Sequence, residues 1–546
     1  MSKLNQRGAD ALAASLLRAG ARRVFTLSGN HIMPVFDAAL DAGIDLIHVR
    51  HEAAAVHMAD AWARLTGEVG VALVTGGPGH ANAISALYTA AMAEAPVVLL
   101  SGHAPNSQLG MGAFQEMRQA DLAAPLTKLS TKSAGPDTLA ADFARAVRTA
   151  RSGRPGPVHL SLPNDALDEP ADMRTVPQAG DYAAHPMPLA QGDAKALREA
   201  LARAKRPLIL AGPACMTKPG RARMAALEEA CGIPVIGMES PRGTADPSLG
   251  AFAEILARAD VVLLLGKRLD FTLKFGKAPV FAPGCEFLQV DSEPGEIERT
   301  RSLAGERLKG RAMAEAFSAL EALEHAGGTA MKGAWRHEVR DALRYRPAAW
   351  DQASSTEAGR LHPVQALRPL QELLDAHPDA VFVSDGGEIG QWAQACLAAP
   401  NRVINGVAGS IGAALPFALA ARLARPDAPV VAVMGDGTFG FHAAEVDTAV
   451  RYRLPFLAVV GNDARWNAEY QIQLRDYGPD RLIGCELLPT RYDQVAAAFG
   501  GFGEHVTHAH LMAPAARRAL QSGLPAVLNV MIEGVAAPSI RRPGAA

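Results

Sequence analysis

Cysteine is scarce in this chain of 546 residues. The five present, Cys215, Cys231, Cys285, Cys396 and Cys485, are odd in number, far apart and never in a C-x-x-C pair. That excludes a disulfide framework and a cysteine-based zinc site, and it implies free thiols in a reducing cytoplasm. Aromatic residues make up only 5%, and 54 basic residues against 56 acidic ones leave a formal charge of −2 with no block of one sign. Nucleic acid or an anionic membrane would need a basic footprint that this chain lacks. No apolar run approaches the roughly 18 residues of a membrane span. The N-terminal "MSKLNQRGADALAASLLRAGARRVF" has the pattern of an amphipathic helix, without the continuous apolar stretch of a signal peptide. The expectation is a cytoplasmic protein with neither nucleic acid nor membrane as partner.

What is abundant is short apolar runs, 49% of the residues being hydrophobic. Examples are "VGVALVTG", "APVVLLSG", "PVHLSLP", "RPLILAGP", "VVLLLGK", "AVFVSDGG", "VVAVMGDG", "PFLAVVGND" and "PAVLNVMI", separated by Ala/Leu/Arg-rich helical patterns. Continuous apolar strands between helices predict an α/β protein whose mainly parallel sheets are covered on both faces. The length exceeds one hydrophobic core and suggests three domains. Two stretches break the rhythm, one at about 176–194 and one from His325 to "GRLHP" at 359–363. Cutting there predicts domains over 1–175, 190–330 and 360–546. No G-x-G-x-x-G follows a strand in the context of a nicotinamide site.

One strand–helix–strand unit carries the chemistry. "VMGDGTFGF" ends a buried run, a helical pattern follows, and "PFLAVVGND" ends the next strand, putting Asp463 27 positions after Asp436. That span brings Asp436, Asp463 and the backbone at Arg465 to one sheet edge, where oxygen donors suit a hard cation such as Mg²⁺. Gly437 permits close backbone approach, and Thr438 offers a hydroxyl and an N–H suited to diphosphate. An N-cap and a solvated turn would use the same acids singly; the paired spacing favours the cation.

G-D-G followed by a helix, a strand and N-[ND] resembles the binding motif of thiamine-diphosphate enzymes. With "VRHEAAAVHMADAWARLTGEVGVALVTGGPGHAN", "GAFQEMRQADLAAPLTK", "RPGPVHLSLPND", "SDGGEIGQWAQ" and "GSIGAALPFALAA", the likeness covers nearly the whole chain. The resemblance is to the acetolactate-synthase-like branch, including 2-hydroxyacyl-CoA lyases and benzaldehyde-lyase-like carboligases. It implies an N-terminal pyrimidine-binding domain, a middle Rossmann-like domain and a C-terminal diphosphate-binding domain. It implies thiamine diphosphate, with Mg²⁺ held by Asp436, Asp463 and the Arg465 main-chain oxygen. Many relatives carry Asn where this chain has Asp463, and a second acid beside an anionic cofactor should sharpen metal dependence. Glu52 of "VRHE" would hydrogen-bond the aminopyrimidine N1′, the Gly409 carbonyl would take the 4′-amino group, Ile411 would wedge the two rings and Asn82 would contact the thiamine. Glu52 and Asp436 would come from different subunits, which makes a homodimer the minimum and a homotetramer the expected assembly. The middle domain is expected either to hold FAD or ADP near Arg268 and Asp291 or to hold nothing.

His31, His80 and Gln115 are the polar groups expected near the substrate, an imidazole to move a hydroxyl proton and an amide to orient a carbonyl. His442, His51 and His57 read as structural. Two departures from biosynthetic acetolactate synthases stand out: the acceptor-discriminating Trp falls on Ile472, and the substrate-side Arg on Thr272. Trp466 and Asn467 would shape a different pocket, and Arg541 and Arg542 read as solvated. The resemblance implies a carbon–carbon lyase or carboligase acting on 2-oxo acids, 2-hydroxy ketones or 2-hydroxyacyl thioesters through an enamine intermediate. A simple 2-oxo-acid decarboxylase is the alternative, and a non-catalytic homologue the other.

Overall fold

The computed structural model describes residues 6–328 and 330–544. Its named strands form three sheets, each parallel throughout. The first contains β1 (Arg23–Thr26), β2 (Asp45–His48), β3 (Gly70–Val74), β4 (Val97–His103), β5 (Ser130–Lys132) and β6 (Val158–Pro163), in the order β2-β1-β3-β4-β6-β5. The second contains β7 (Pro207–Ala211), β8 (Val235–Gly237), β9 (Val261–Leu265), β10 (Glu286–Asp291) and β11 (Leu308–Met313), ordered β11-β10-β9-β7-β8. The third contains β12 (Val381–Ser384), β13 (Asn401–Ile404), β14 (Val430–Gly435), β15 (Leu457–Asn462), β16 (Phe502–Val506) and β17 (Ala526–Met531), ordered β13-β12-β14-β15-β17-β16. Helices flank all three, giving the α/β architecture that the alternating runs predict.

The middle sheet explains why these strands are apolar at every position. Ile209, Leu263 and Val290 enter one core with Leu201, Leu227 and Leu320. Leu208, Leu210, Leu264 and Phe287 enter the other with Phe252, Trp335 and Val339. Neighbouring side chains on a strand point to opposite faces, so a sheet covered twice has no polar side. Trp335 belongs to the helix Trp335–Arg344, inside the polar stretch that breaks the sequence rhythm. Its indole donates to the Pro207 carbonyl at 2.9 Å, while Arg336 and Arg340 pair with the buried Glu228. The polarity there is one face of an amphipathic helix.

The two six-stranded sheets share one strand order. In each, the chain pairs its second strand on one side of the first and then crosses to the other side. Crevices therefore open beyond the carboxyl ends of β1 and β3, and of β12 and β14, the places where open parallel sheets bind ligands. The chain divides into two compact units. One runs to Pro186 and includes Leu419–Ala424 and Asp447–Tyr452; the other is Met187–Ala418, Arg425–Val446 and the chain from Arg453 onward. The first unit holds the first crevice and the second unit holds the other. No helix among the described residues is long and apolar enough to cross a membrane, and none of the five cysteines is disulfide-bonded.

Candidate active site

The first crevice gathers groups from the ends of β1, β2, β3 and β4. Glu52 is the first residue of the helix Glu52–Thr66, whose N-terminus favours an acid. It is 8% exposed, and its Oε2 accepts a hydrogen bond from Asn82 Nδ2 at 3.0 Å. Gly79 keeps this corner open, since a Cβ there would lie 2.7 Å from Thr75 Cγ2 and 3.3 Å from Glu52 Oε1. His31 follows β1, with its Nδ1 3.2 Å from Thr75 Oγ1 and its ring stacked on Phe114. Burial lowers its pKa, so the imidazole is neutral near pH 7. Gln115 has φ +56°, and its Oε1 is buried without a hydrogen bond. Its Cβ would touch a side chain at Gly77, 2.7 Å away.

His80 lies elsewhere than an open substrate contact. It is fully enclosed, its Nδ1 is 2.8 Å from Ser101 Oγ, and its ring sits 4.5 Å from that of His159. Burial pushes its pKa down to about 4. A second glutamine, Gln119, ties the turn together: Oε1 accepts from the Gly77 amide at 2.8 Å, and Nε2 donates to Gly102 O and Ser161 Oγ. Sequence reasoning passed over Gln119, because nothing in "GAFQEMRQAD" separates one glutamine's partners from the other's.

The second crevice gathers groups from β12, β14 and β15. Asp436 directly follows β14 and Asp463 directly follows β15, on strands paired through Gly435 and Gly461. They are 2% and 6% exposed. Burial pushes the Asp436 carboxyl up to about 6. Burial and then the neighbouring Asp436 charge push Asp463 up to about 8. Asp436 Oδ2 has no hydrogen-bond partner. Two enclosed acids, both raised by burial and Asp463 further by the Asp436 charge, with one oxygen unmet, fit a divalent cation. Among the described residues no three His, Cys, Asp or Glu side chains converge as a metal cluster. A cation here would draw on two carboxylates, a main-chain carbonyl and oxygens of its ligand, the habit of Mg²⁺.

Gly437 has a packing reason as well: a Cβ would lie 2.5 Å from the Trp466 ring. The Thr438 hydroxyl already donates to the Gly435 carbonyl at 3.0 Å, leaving its lone pairs. Gly409 has φ +67°, which favours glycine, and Ile411 packs where Gly386 lacks a side chain. The loop carrying both is anchored by Asp385, a residue the sequence did not single out. Its carboxylate is 1% exposed and accepts from the amides of Gly386, Gly412 and Ala414 at 2.7–3.1 Å. His442, read as structural, sits 2.7 Å from the Gly412 carbonyl.

Beyond β17 the chain runs along this crevice. Gln471 donates to Gly534 O, Asn467 to Val535 O and Trp392 to Ala536 O. Arg542 is not simply solvated: its backbone and Nε both bind Glu254, at 2.8 and 2.7 Å. Ile472 is 46% exposed, whereas Thr272 is buried beside Lys267 and Asp270. In the middle sheet Arg268 pairs with Glu296, and Asp291 accepts from the Glu293 amide.

The comparisons with known proteins agree with this architecture. Three family models match in chain order: the N-terminal TPP binding domain of thiamine pyrophosphate enzymes over 6–122, their central domain over 194–320, and their C-terminal TPP binding domain over 385–530. The chain is a thiamine-diphosphate-dependent enzyme. Within that class it belongs to the acetolactate-synthase-like family. It is 34% identical to the "Probable acetolactate synthase" of Mycobacterium bovis over 543 residues, covering 97% of this chain and 96% of the relative. It is 31% identical to "2-hydroxyacyl-CoA lyase 2" of Homo sapiens over 582 residues, covering 96% and 90%. It is 30% identical to "Acetolactate synthase isozyme 3 large subunit" of Escherichia coli over 536 residues, covering 92% and 90%.

Proposed function

We propose that this enzyme makes or breaks the carbon–carbon bond beside a carbonyl, using thiamine diphosphate with Mg²⁺. Its substrates would be 2-oxo acids, 2-hydroxy ketones or 2-hydroxyacyl thioesters. The observation that carries the cofactor reading is the enclosed Asp436–Asp463 pair with its unmet Oδ2. The relatives named acetolactate synthase and 2-hydroxyacyl-CoA lyase support the substrate class. Asp436, Asp463 and the Arg465 carbonyl would hold the cation, and Gly437 and Thr438 the diphosphate. Glu52, steadied by Asn82, would move a proton at the aminopyrimidine N1′. The Gly409 carbonyl would accept from the 4′-amino group, and Ile411 would brace the rings. The cofactor, when bound, supplies a nucleophilic carbon and an electron sink. The chain supplies orientation, exclusion of water and proton handling.

His31, neutral at pH 7, would exchange a proton with a substrate hydroxyl, and Gln115 would orient it. His80 would support the Gly77–Asn82 turn from below. Glu52 and the Asp436–Asp463 pair would serve one cofactor from different protomers, in a cytoplasmic homodimer or homotetramer of three-domain chains cut near 1–175, 190–330 and 360–546. FAD or ADP in the middle domain is the less supported part, because Arg268 and Asp291 are already engaged within the chain.

Mass spectrometry of products from a panel of 2-oxo acids, with and without an aldehyde acceptor, tests the reading. A ligated hydroxy ketone is the expected result. Free aldehyde alone, whatever acceptor is present, would make the enzyme a simple decarboxylase. Cofactor binding without any product would make it a non-catalytic homologue.

A further inference from the structure

The turn Ser240–Gly243 lies on the second crevice and is held there from several sides. Glu239, just before it, pairs with Arg402 of β13 at 3.0 Å, and the same arginine reaches Asp246, just after it, at 4.0 Å. Gly243 has φ +54°, and a Cβ there would lie 2.0 Å from the Thr272 carbonyl, so only glycine lets the two backbones meet. Pro241 Cβ lies 3.5 Å from where a side chain at Gly409 would begin. The turn thus abuts the loop that carries Gly409 and Ile411, and the side chain it delivers is Arg242.

Arg242 has little to hold. Among the described residues its guanidinium makes no hydrogen bond; its one charged neighbour is Glu388, with NH2 to Oε2 at 3.7 Å, too long for a hydrogen bond. The arginine side chain is 42% exposed and the glutamate side chain 10%. Glu388 is the second residue of the helix Gly387–Cys396, which follows β12, and its Oε2 is buried without a hydrogen bond. A planar fork with five donors, carried on a turn that abuts the Gly409 loop and paired only with a carboxylate 3.7 Å away, matches the bidentate geometry of a carboxylate ligand.

We infer that Arg242 recognises the carboxylate of a 2-oxo-acid substrate, with Glu388 as the counter-ion that keeps its guanidinium turned into the crevice. The inference rests on the function proposed above and deepens it. A 2-oxo acid bears its carboxylate on the reacting carbonyl, beside the proposed cofactor loop that this turn abuts. The phosphates of a CoA thioester lie a long pantetheine arm away and do not meet that constraint. Because the contact forms before chemistry, its loss should raise KM more than it lowers kcat.

The test compares wild type with Arg242→Gln and Arg242→Lys, all loaded with thiamine diphosphate and Mg²⁺. Calorimetry measures the binding of oxamate, an unreactive 2-oxo-acid analogue, and of the cofactor itself; kinetics gives KM and kcat for pyruvate and for acetoin, which is neutral. Loss of one charge-assisted pair predicts that Arg242→Gln weakens oxamate and raises the pyruvate KM at least about tenfold. Cofactor affinity and the acetoin KM should stay within about twofold, and Arg242→Lys should fall between, keeping the charge but losing the fork. Unchanged oxamate binding in Arg242→Gln overturns the inference, as does a matching fall in cofactor affinity, which would mark a role in folding. A wild type that binds cofactor but no oxamate also overturns it and leaves the cofactor assignment standing. A wild type that binds no cofactor refutes the proposed function itself.

Discussion

Glu52 and Asn82 meet because the helix after β2 and the helix after β3 both begin at the same crevice, and the 3.0 Å contact between them sets the direction of the carboxylate. Glu52→Gln keeps the shape but removes the basic oxygen. Proton exchange at the cofactor's C2 in D2O should slow by roughly 10²–10⁴-fold, the usual worth of a general base. Cofactor affinity should change far less, and equal losses in both would contradict the role. His80 supports a second prediction. Its folded pKa, about 4, lies below the ordinary 6.5, so below pH 6.5 the unfolded chain binds a proton that the folded chain refuses. Its contribution is intact above pH 6.5 and is lost as pH falls toward about 4, amounting to roughly 3 kcal/mol at the end. Urea unfolding at pH 7 and pH 4.5 should show that His80→Gln flattens this acid-side decline. The slope that remains belongs in part to His159, held neutral by burial beside it. Glu52, Asp436 and Asp463 are legible in the sequence because each sits in a short motif. Gln119, Asp385 and Arg242 are not, because their partners are remote in the chain: Gln119 meets Gly77 and Ser161, each 42 positions away, and Asp385 meets Gly412, 27 away.

Among the elements, what could be read from sequence depended on position in the sheet. All nine runs quoted as strands became interior strands, β3, β4, β6, β7, β9, β12, β14, β15 and β17. The six edge strands, β2, β5, β8, β11, β13 and β16, carry no such run. An edge strand has one partner and is often short and charged, as "LKGRAM" in β11 shows, so its periodicity fades. Strand order was not legible either, since the interchange that sets β6 between β4 and β5 depends on crossovers. Central strands should carry the stability: Leu263→Ala in β9, at a wholly buried site, should cost about 2–5 kcal/mol in denaturant unfolding. Gly437→Ala tests the local packing of the cofactor turn. Its Cβ would begin 2.5 Å from Trp466, so the indole must move. A change in Trp fluorescence together with weaker thiamine diphosphate binding is the expected result; an unchanged spectrum would contradict it.

For the molecule as a whole, each compact unit carries one crevice and its own exposed apolar side chains. The first shows Met111 at 77% and Phe114 at 66% exposure; the second shows Tyr477 at 65%, Ile483 at 81% and Leu488 at 77%. Asp436 and Asp463 would bind the diphosphate only through a shared cation. Bare, the charge left on the pair would repel an anionic ligand; bridged by a cation, both carboxylates would ionise and hold it. The direct measurement is a calorimetric titration of thiamine diphosphate with Mg²⁺ present and after chelation, repeated with Asp463→Asn. Chelation should weaken the wild type at least about tenfold, and the Asn variant, with one negative charge fewer, by a smaller factor. Wild-type curves that coincide with and without Mg²⁺ would contradict it.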